Sequence, residues 1–123
     1  MDSSLAVYCG TPTYTIREAL NQIEENRSRG VFVIGNGDRV EGFLSQGDII
    51  RALCVGADIY SSIRHFSSPS FLYLKDRDMD KAFGLLKERG MTLFPVVDDD
   101  FKLIDVITLF DVMEYIDRRL SNG

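Results

Sequence analysis

Two heptapeptides in this chain pair a hydroxyl with a carboxylate at the same spacing. The first is Gly42-Phe43-Leu44-Ser45-Gln46-Gly47-Asp48; the second is Asp105-Val106-Ile107-Thr108-Leu109-Phe110-Asp111. In each, two apolar residues precede a Ser or Thr, and an Asp follows three positions later. One chemistry for this spacing is local. A hydroxyl N-cap with an acid at the third helical position closes a capping box, and the acid suits the helix dipole. The other chemistry is recognition. A carboxylate accepts two hydroxyl hydrogen bonds, which matches the 2′ and 3′ hydroxyls of a ribose. The hydroxyl and the open N–H groups of the helix start can receive a phosphate. The two are compatible, since Ser45 can cap while Asp48 binds.

The rest of the chain offers little further chemistry. Its only His, His65, stands beside Arg64 without a Ser or Asp partner set, so no catalytic constellation forms and an enzyme is not expected. Gly35-Asn36-Gly37 lacks the Gly-Lys-Ser/Thr ending of a phosphate loop and reads as a hairpin turn. Asp98-Asp99-Asp100 lacks the calcium-loop spacing and reads as a solvated turn. Cys9 and Cys54 are far apart with no neighbouring His, so no metal site or disulfide is expected. Both read as buried free thiols in a reducing cytoplasm. The balance of 14 Lys+Arg against 19 Asp+Glu, net −5 over 123 residues, argues against a general nucleic-acid binder. No apolar run reaches the ~20 residues of a membrane helix, and Met1-Asp2-Ser3-Ser4-Leu5 lacks the pattern of a signal peptide.

The elements that position the two heptapeptides repeat as well. At an offset of 63 residues Thr15 meets Asp78, Ala19 meets Ala82, Val33 meets Val96 and Asp48 meets Asp111. The apolar positions stay in phase over some forty residues, as in Leu20/Phe83, Ile34/Val97, Leu44/Ile107 and Ile49/Val112. Each half reads as helix, strand, strand, helix. The first helices start at Thr15, with Glu18 completing a capping box, and at Asp78; Gly30 and Gly90 mark their exits as left-handed caps. Strands are expected at 31–34, 40–44, 93–97 and 103–107, and second helices open at Ser45 and Thr108. The leading segments 5–8 and 71–74 are candidates for an added strand. Repeat 1 spans 5–56, a linker 57–69, and repeat 2 spans 70–119. A half of about 60 residues buries too little surface to be robust alone, so the halves should pack sheet against sheet.

This tandem arrangement resembles a pair of CBS (cystathionine-β-synthase-type) domains, a Bateman module, over residues 5 to 117. The resemblance rests on Gly42 through Leu53, similar to the family's Gly-apolar-apolar-Ser/Thr-x-x-Asp signature, and on Leu93-Phe94-Pro95-Val96-Val97-Asp98, similar to its apolar-Pro-Val-Val-Asp strand. The run from Gly47 to Gly56 is similar to pairs attached to sugar-phosphate nucleotidyltransferases. The resemblance implies an α/β (α+β) fold of two βαββα repeats, packed sheet to sheet with pseudo-twofold symmetry and leaving two clefts between them. It implies a regulatory module for an adenosyl ligand (AMP first, or ADP, ATP or S-adenosylmethionine), needing no cofactor and controlling an attached or partner enzyme. Two such modules would pair as a homodimer, and the alternative is a dimerisation module with no ligand.

Carried over, Asp48 and Asp111 would hold ribose hydroxyls, and Ser45 and Thr108 would lie near ribose or phosphate. The backbone of Val31-Phe32-Val33 and of Phe94-Pro95 would flank the base. Thr13 and Thr15 would line the first cleft, and Arg29 would meet a phosphate. The second heptapeptide departs from the pattern. Asp105 replaces Gly and Phe110 replaces Gly47, so the cleft of Ser45 and Asp48 is the one expected to work. An anionic nucleotide also needs cations nearby, from Arg27, Arg29, Arg64 or Lys75. Without one, an uncharged or cationic adenosyl ligand is favoured over AMP.

Overall fold

The computed structural model describes residues 1–122. Its elements run β1 (Cys9–Gly10), α1 (Ile16–Asn26), β2 (Gly30–Ile34), β3 (Val40–Ser45), α2 (Gln46–Cys54), α3 (Met79–Arg89), β4 (Leu93–Val97), β5 (Leu103–Thr108) and α4 (Leu109–Asn122). Short 3-10 turns at Ser3–Tyr8, Asn36–Asp38 and Ile63–His65 link them. The helix starts follow the capping chemistry in the sequence. Thr15 Oγ1 accepts from the Glu18 N–H at 3.2 Å while Glu18 Oε1 accepts from the Thr15 N–H at 3.1 Å. Asp78 accepts from the Lys81 N–H at 3.0 Å.

The repeat is exact in register. β2 pairs antiparallel with β3 through Gly30↔Ser45, and β4 with β5 through Leu93↔Thr108, each pair displaced by the same 63 positions. Both ladders also carry an irregularity at equivalent places, Val33/Ile34 and Val96/Val97. β1 adds in parallel to β2 through Cys9↔Phe32 and Gly10↔Val33, while its counterpart in repeat 2 is a single parallel bridge, Leu74↔Val96.

Strand alternation divides the core into three. Val31 and Val33 face α1 and α2, together with Ile16 and Ile49. Phe94 and Val96 face α3 and α4, with Ala82 and Val112. The opposite faces meet each other: Phe32, Ile34 and Val40 pack against Leu93, Val97 and Leu103. The sheets therefore lie face to face with helices outside. Each large side chain buried at that seam contributes about 1.5–3 kcal/mol. The hairpin tips also join, with the Val40 N–H donating to Phe101 O at 2.9 Å.

Several details differ from the sequence expectations. Leu5–Tyr8 lies in a 3-10 turn rather than a strand, because Asp2 Oδ1 accepts from the Ser4 N–H and hydroxyl at 2.9 and 3.0 Å and winds the segment up. Of segment 71–74 only Leu74 pairs with a sheet. The α1 exit is capped by Arg27 in the left-handed region (φ 57°), not by Gly30. Gly30 is required for a different reason: a Cβ there would lie 2.3 Å from Phe43 Cζ. Gly90 does cap α3, at φ 67°. Cys9 is buried as expected, but Cys54, at the end of α2, is exposed. The linker is not a loose tether, since Ser68 exchanges two hydrogen bonds of 2.9 Å with Phe43 at the edge of β3.

Candidate ligand cleft

At the start of α2 the hydroxyl and carboxylate close on each other. Ser45 Oγ accepts from the Asp48 N–H at 3.0 Å, and Asp48 Oδ2 accepts from the Ser45 N–H at 2.9 Å. Asp48 Oδ1 accepts from Arg51 Nη2 at 2.5 Å. α4 repeats the box, with Thr108 Oγ1 accepting from the Asp111 N–H at 3.2 Å and Asp111 Oδ2 from the Thr108 N–H at 2.9 Å. The capping chemistry is thus realised in both halves.

Beside Ser45 a cleft of about 600 Å³ opens between the repeats. Its floor is aromatic: Phe32 and Phe43 lie 5.3 Å apart with planes tilted by 42°, and Phe71 joins them. Met91, Leu93 and Pro95 supply an apolar wall from repeat 2. Ser28, Ser45, Ser70 and Thr92 add hydroxyls. Gly47 sits at the second position of α2, where a backbone N–H has no partner within the helix. Arg29 and Arg89 approach from opposite repeats, and no Asp or Glu lines the cleft. Neither arginine forms an ion pair among the described residues. An aromatic floor, with Phe43 and Phe71 partly exposed above the buried Phe32 and with hydroxyls and unpaired guanidinium groups at its rim, suits a planar base carrying a sugar and an anion.

The second heptapeptide builds a smaller space. A cavity of about 190 Å³ lies between Arg27–Arg29 and Thr92, closed on one side by Leu109 and by Phe110, which is 67% exposed. Asp105 does not stand as a free charge: Arg77 Nη1 donates to its Oδ2 at 2.9 Å, and Arg77 Nη2 lies 3.5 Å from Asp111 Oδ2.

Of the residues expected at a site, Ser45, Arg29, Phe32 and Pro95 come together in the large cleft. Asp48 adjoins it, with its carboxylate engaged by Ser45 and Arg51. Val33 and Phe94 point away from it, into the helix-covered cores, because they alternate with Phe32 and Pro95 along their strands. Thr13 is exposed and bonded to Thr11 at 2.9 Å, and Thr15 caps α1. Thr108 caps α4, and Asp111 lines a shallow outer groove with Arg77. Arg64 and Lys75 lie elsewhere. Arg89 and the Phe43–Phe71 floor were not anticipated. The last residue of α3 reads locally as a helix-end cation, and only the packing of the halves brings it to the cleft. Among the described residues no cluster of three potential metal ligands occurs.

Comparison with known proteins agrees with this architecture. An uncharacterized protein of Helicobacter pylori is 29% identical over 105 residues, covering 84% of this chain and 32% of that protein. The chain spans a third to somewhat over half the length of the curated relatives it first matches. Among solved structures, the CBS domain pair of protein MJ0100, in complex with 5′-methylthioadenosine and S-adenosyl-L-methionine, is 16% identical. It superposes with a TM-score of 0.74, covering 90% of this chain and 88% of that one. The cytosolic domain of the Mg2+ channel MgtE, in complex with ATP, is 23% identical with a TM-score of 0.69, covering 87% and 44%. The CBS domain family pattern matches residues 7–55 and 64–118, one match in each half, so the chain belongs to the CBS domain family as a tandem pair.

Proposed function

We propose that this pair is a regulatory module that binds an adenine nucleotide in the cleft beside Ser45 and controls an attached or partner enzyme. The observation that carries this is the convergence of Arg29 and Arg89, one from each repeat, on an aromatic-floored cleft with no carboxylate. AMP is the smallest adenine nucleotide that uses every part: base against the partly exposed Phe43 and Phe71, ribose near Ser45, phosphate between the arginines. The two related structures with adenosyl ligands support the class of ligand. The two guanidinium groups favour an anionic nucleotide over cationic S-adenosylmethionine. Asp48 can serve the ribose by exchanging its bond with Arg51, which is exposed, for sugar hydroxyls. Repeat 1 (5–56), the linker (57–69) and repeat 2 (70–119) act as one unit in this reading, because the cleft draws on both repeats.

The likeness of Gly47–Gly56 makes a sugar-phosphate nucleotidyltransferase the partner class we propose. We place the module in the cytoplasm, where Cys54 stays reduced. We also propose a homodimer through the outer faces of α2 and α4, which leave Leu53, Met113 and Leu120 at 39, 53 and 77% exposure. No helix among the described residues is long and apolar enough to cross a membrane.

A thermal-shift panel with AMP, ADP, ATP, GMP and S-adenosylmethionine tests the nucleotide reading. Stabilisation by the adenine nucleotides but not by S-adenosylmethionine is expected. No stabilisation by any nucleotide, beside a stable dimer on sizing, refutes it in favour of a ligand-free dimerisation module.

A further inference from the structure

The large cleft does not end at Arg29. Ser28, Arg29 and Thr92 line it and also line the 190 Å³ cavity, so the two spaces adjoin across these residues, a ridge between two compartments of one trough. Beyond the ridge stands Arg27. Three arginines, Arg27, Arg29 and Arg89, therefore border the trough. None of them is ion-paired among the described residues, and no carboxylate lines either compartment. In a chain of net charge −5 this is a local reversal of sign.

The ridge is built rather than loose. Arg27 and Arg29 both hold left-handed backbone, at φ 57° and 66°, a conformation that non-glycine residues adopt only when their surroundings enforce it. Asn26 enforces it here. Its Nδ2 donates to Val7 O at 3.0 Å and to Gly30 O at 3.1 Å, and its Oδ1 accepts from the Ser28 N–H at 2.7 Å. Ser28, buried, donates its hydroxyl back to Asn26 O at 3.2 Å.

The smaller compartment is unsuited to a second nucleoside. It has a third of the volume, Phe110 occupies one side, and the carboxylate of Asp111 is held by Arg77 outside it. It is suited to anionic groups. We infer that the trough takes one nucleoside polyphosphate per chain, with base and ribose in the large compartment and the outer phosphates crossing the ridge to Arg27. Arg27 is then a specificity-determining residue that reads the length of the phosphate chain, and the second cleft of the pair is an extension of the first. This rests on the nucleotide reading of the large cleft given above.

The test is titration calorimetry with AMP, ATP and inorganic tripolyphosphate on the wild-type chain, Arg27→Asn and Arg27→Lys. Asn tolerates the left-handed backbone, so the first variant removes charge without disturbing the loop. One ATP per wild-type chain is expected, bound about tenfold or more tighter than AMP, as an added charge-assisted contact implies. Arg27→Asn should abolish that preference and leave AMP affinity unchanged, and Arg27→Lys should restore most of it. An ATP-to-AMP ratio unaffected by Arg27→Asn, or two nucleotides per chain, overturns the inference. If neither nucleotide binds the wild-type chain, the nucleotide reading itself fails. Tripolyphosphate binding that is lost in Arg27→Asn would then keep the ridge as a polyphosphate site, and no tripolyphosphate binding overturns both.

Discussion

Replacing Arg89 by Ala isolates the contribution of the cation that repeat 2 brings to the cleft. Arg89 ends α3 and has no ion-pair partner among the described residues, so the free chain loses only a favourable helix-end charge, about 0.3–1 kcal/mol. The liganded chain loses a charge-assisted hydrogen bond to phosphate, about 1.5–3 kcal/mol, which weakens AMP roughly 10- to 150-fold. In calorimetric terms, AMP at 100 times its dissociation constant stabilises the wild type by about 2.7 kcal/mol. For 123 residues the unfolding entropy is about 0.26 kcal/mol/K, so the midpoint rises by about 10 °C. A 30-fold loss of affinity at the same AMP concentration leaves about 0.9 kcal/mol, or roughly 3 °C. Scanning calorimetry with AMP and adenosine side by side is the assay. Adenosine has no phosphate, so its smaller shift should be the same in both chains, and only the AMP shift should fall with added salt in the wild type. An undiminished AMP shift in Arg89→Ala, or equal losses for AMP and adenosine, would refute the placement of the phosphate between the two arginines.

Gly30→Ala should destabilise the chain by about 1–3 kcal/mol, because its Cβ lies 2.3 Å from Phe43 Cζ and 3.2 Å from Leu44 O. Urea unfolding measures this, and AMP affinity should fall with it as the Phe43 ring leaves the cleft floor. Arg77→Ala should cost less than about 1 kcal/mol, since it and both its carboxylate partners are partly solvated, and AMP affinity should not change. A loss of AMP binding would show that Asp111 belongs to the site. Burial, with the Asp38 carboxylate, pushes the Cys9 thiol up to about 12, against 9.0 ordinarily. The folded chain thus holds this proton longer than the unfolded chain. The stabilisation is complete below about pH 9 and declines by roughly 1.4 kcal/mol per pH unit as pH rises toward 12. Urea midpoints should therefore drop across that window in the wild type and less so in Cys9→Ala; equal drops would refute it. An exposed Cys54 and a buried Cys9 also predict one rapidly reacting thiol per native chain with a disulfide reagent, and two after unfolding.

What the sequence made legible was whatever depends on neighbours in the chain. The offset of 63 carried the strand register intact from Gly30↔Ser45 to Leu93↔Thr108. The spacing Ser45–Asp48 specified a capping box because both partners sit within one helical turn. Arg29 was legible as a cation placed just before a strand. Arg89 was not, because its approach to Arg29 depends on how two sheets stack, and no local pattern encodes that. The inward choice of Phe32 over Val33 follows from period-two alternation, so the opposite facing of Val33 and Phe94 was within reach of the sequence. The left-handed cap at Arg27 was hidden by Gly30, whose glycine serves a close approach to Phe43 rather than a turn. The bond from Arg77 to Asp105 spans 28 residues and needed the folded chain to be seen.

The division of the interior into three clusters bears on how this chain comes apart. Each repeat keeps a private core beneath its own helices, while a shared seam joins them. Such an arrangement permits partial opening, with one half unravelling while the other persists. A ligand lying between Phe43 and Met91 belongs to neither half, and partial opening would expel it. Occupancy therefore penalises every half-open form along with the fully unfolded one. Slow amide exchange should spread from the private cores into the seam as nucleotide is added, merging two semi-independent folding units into a single cooperative one.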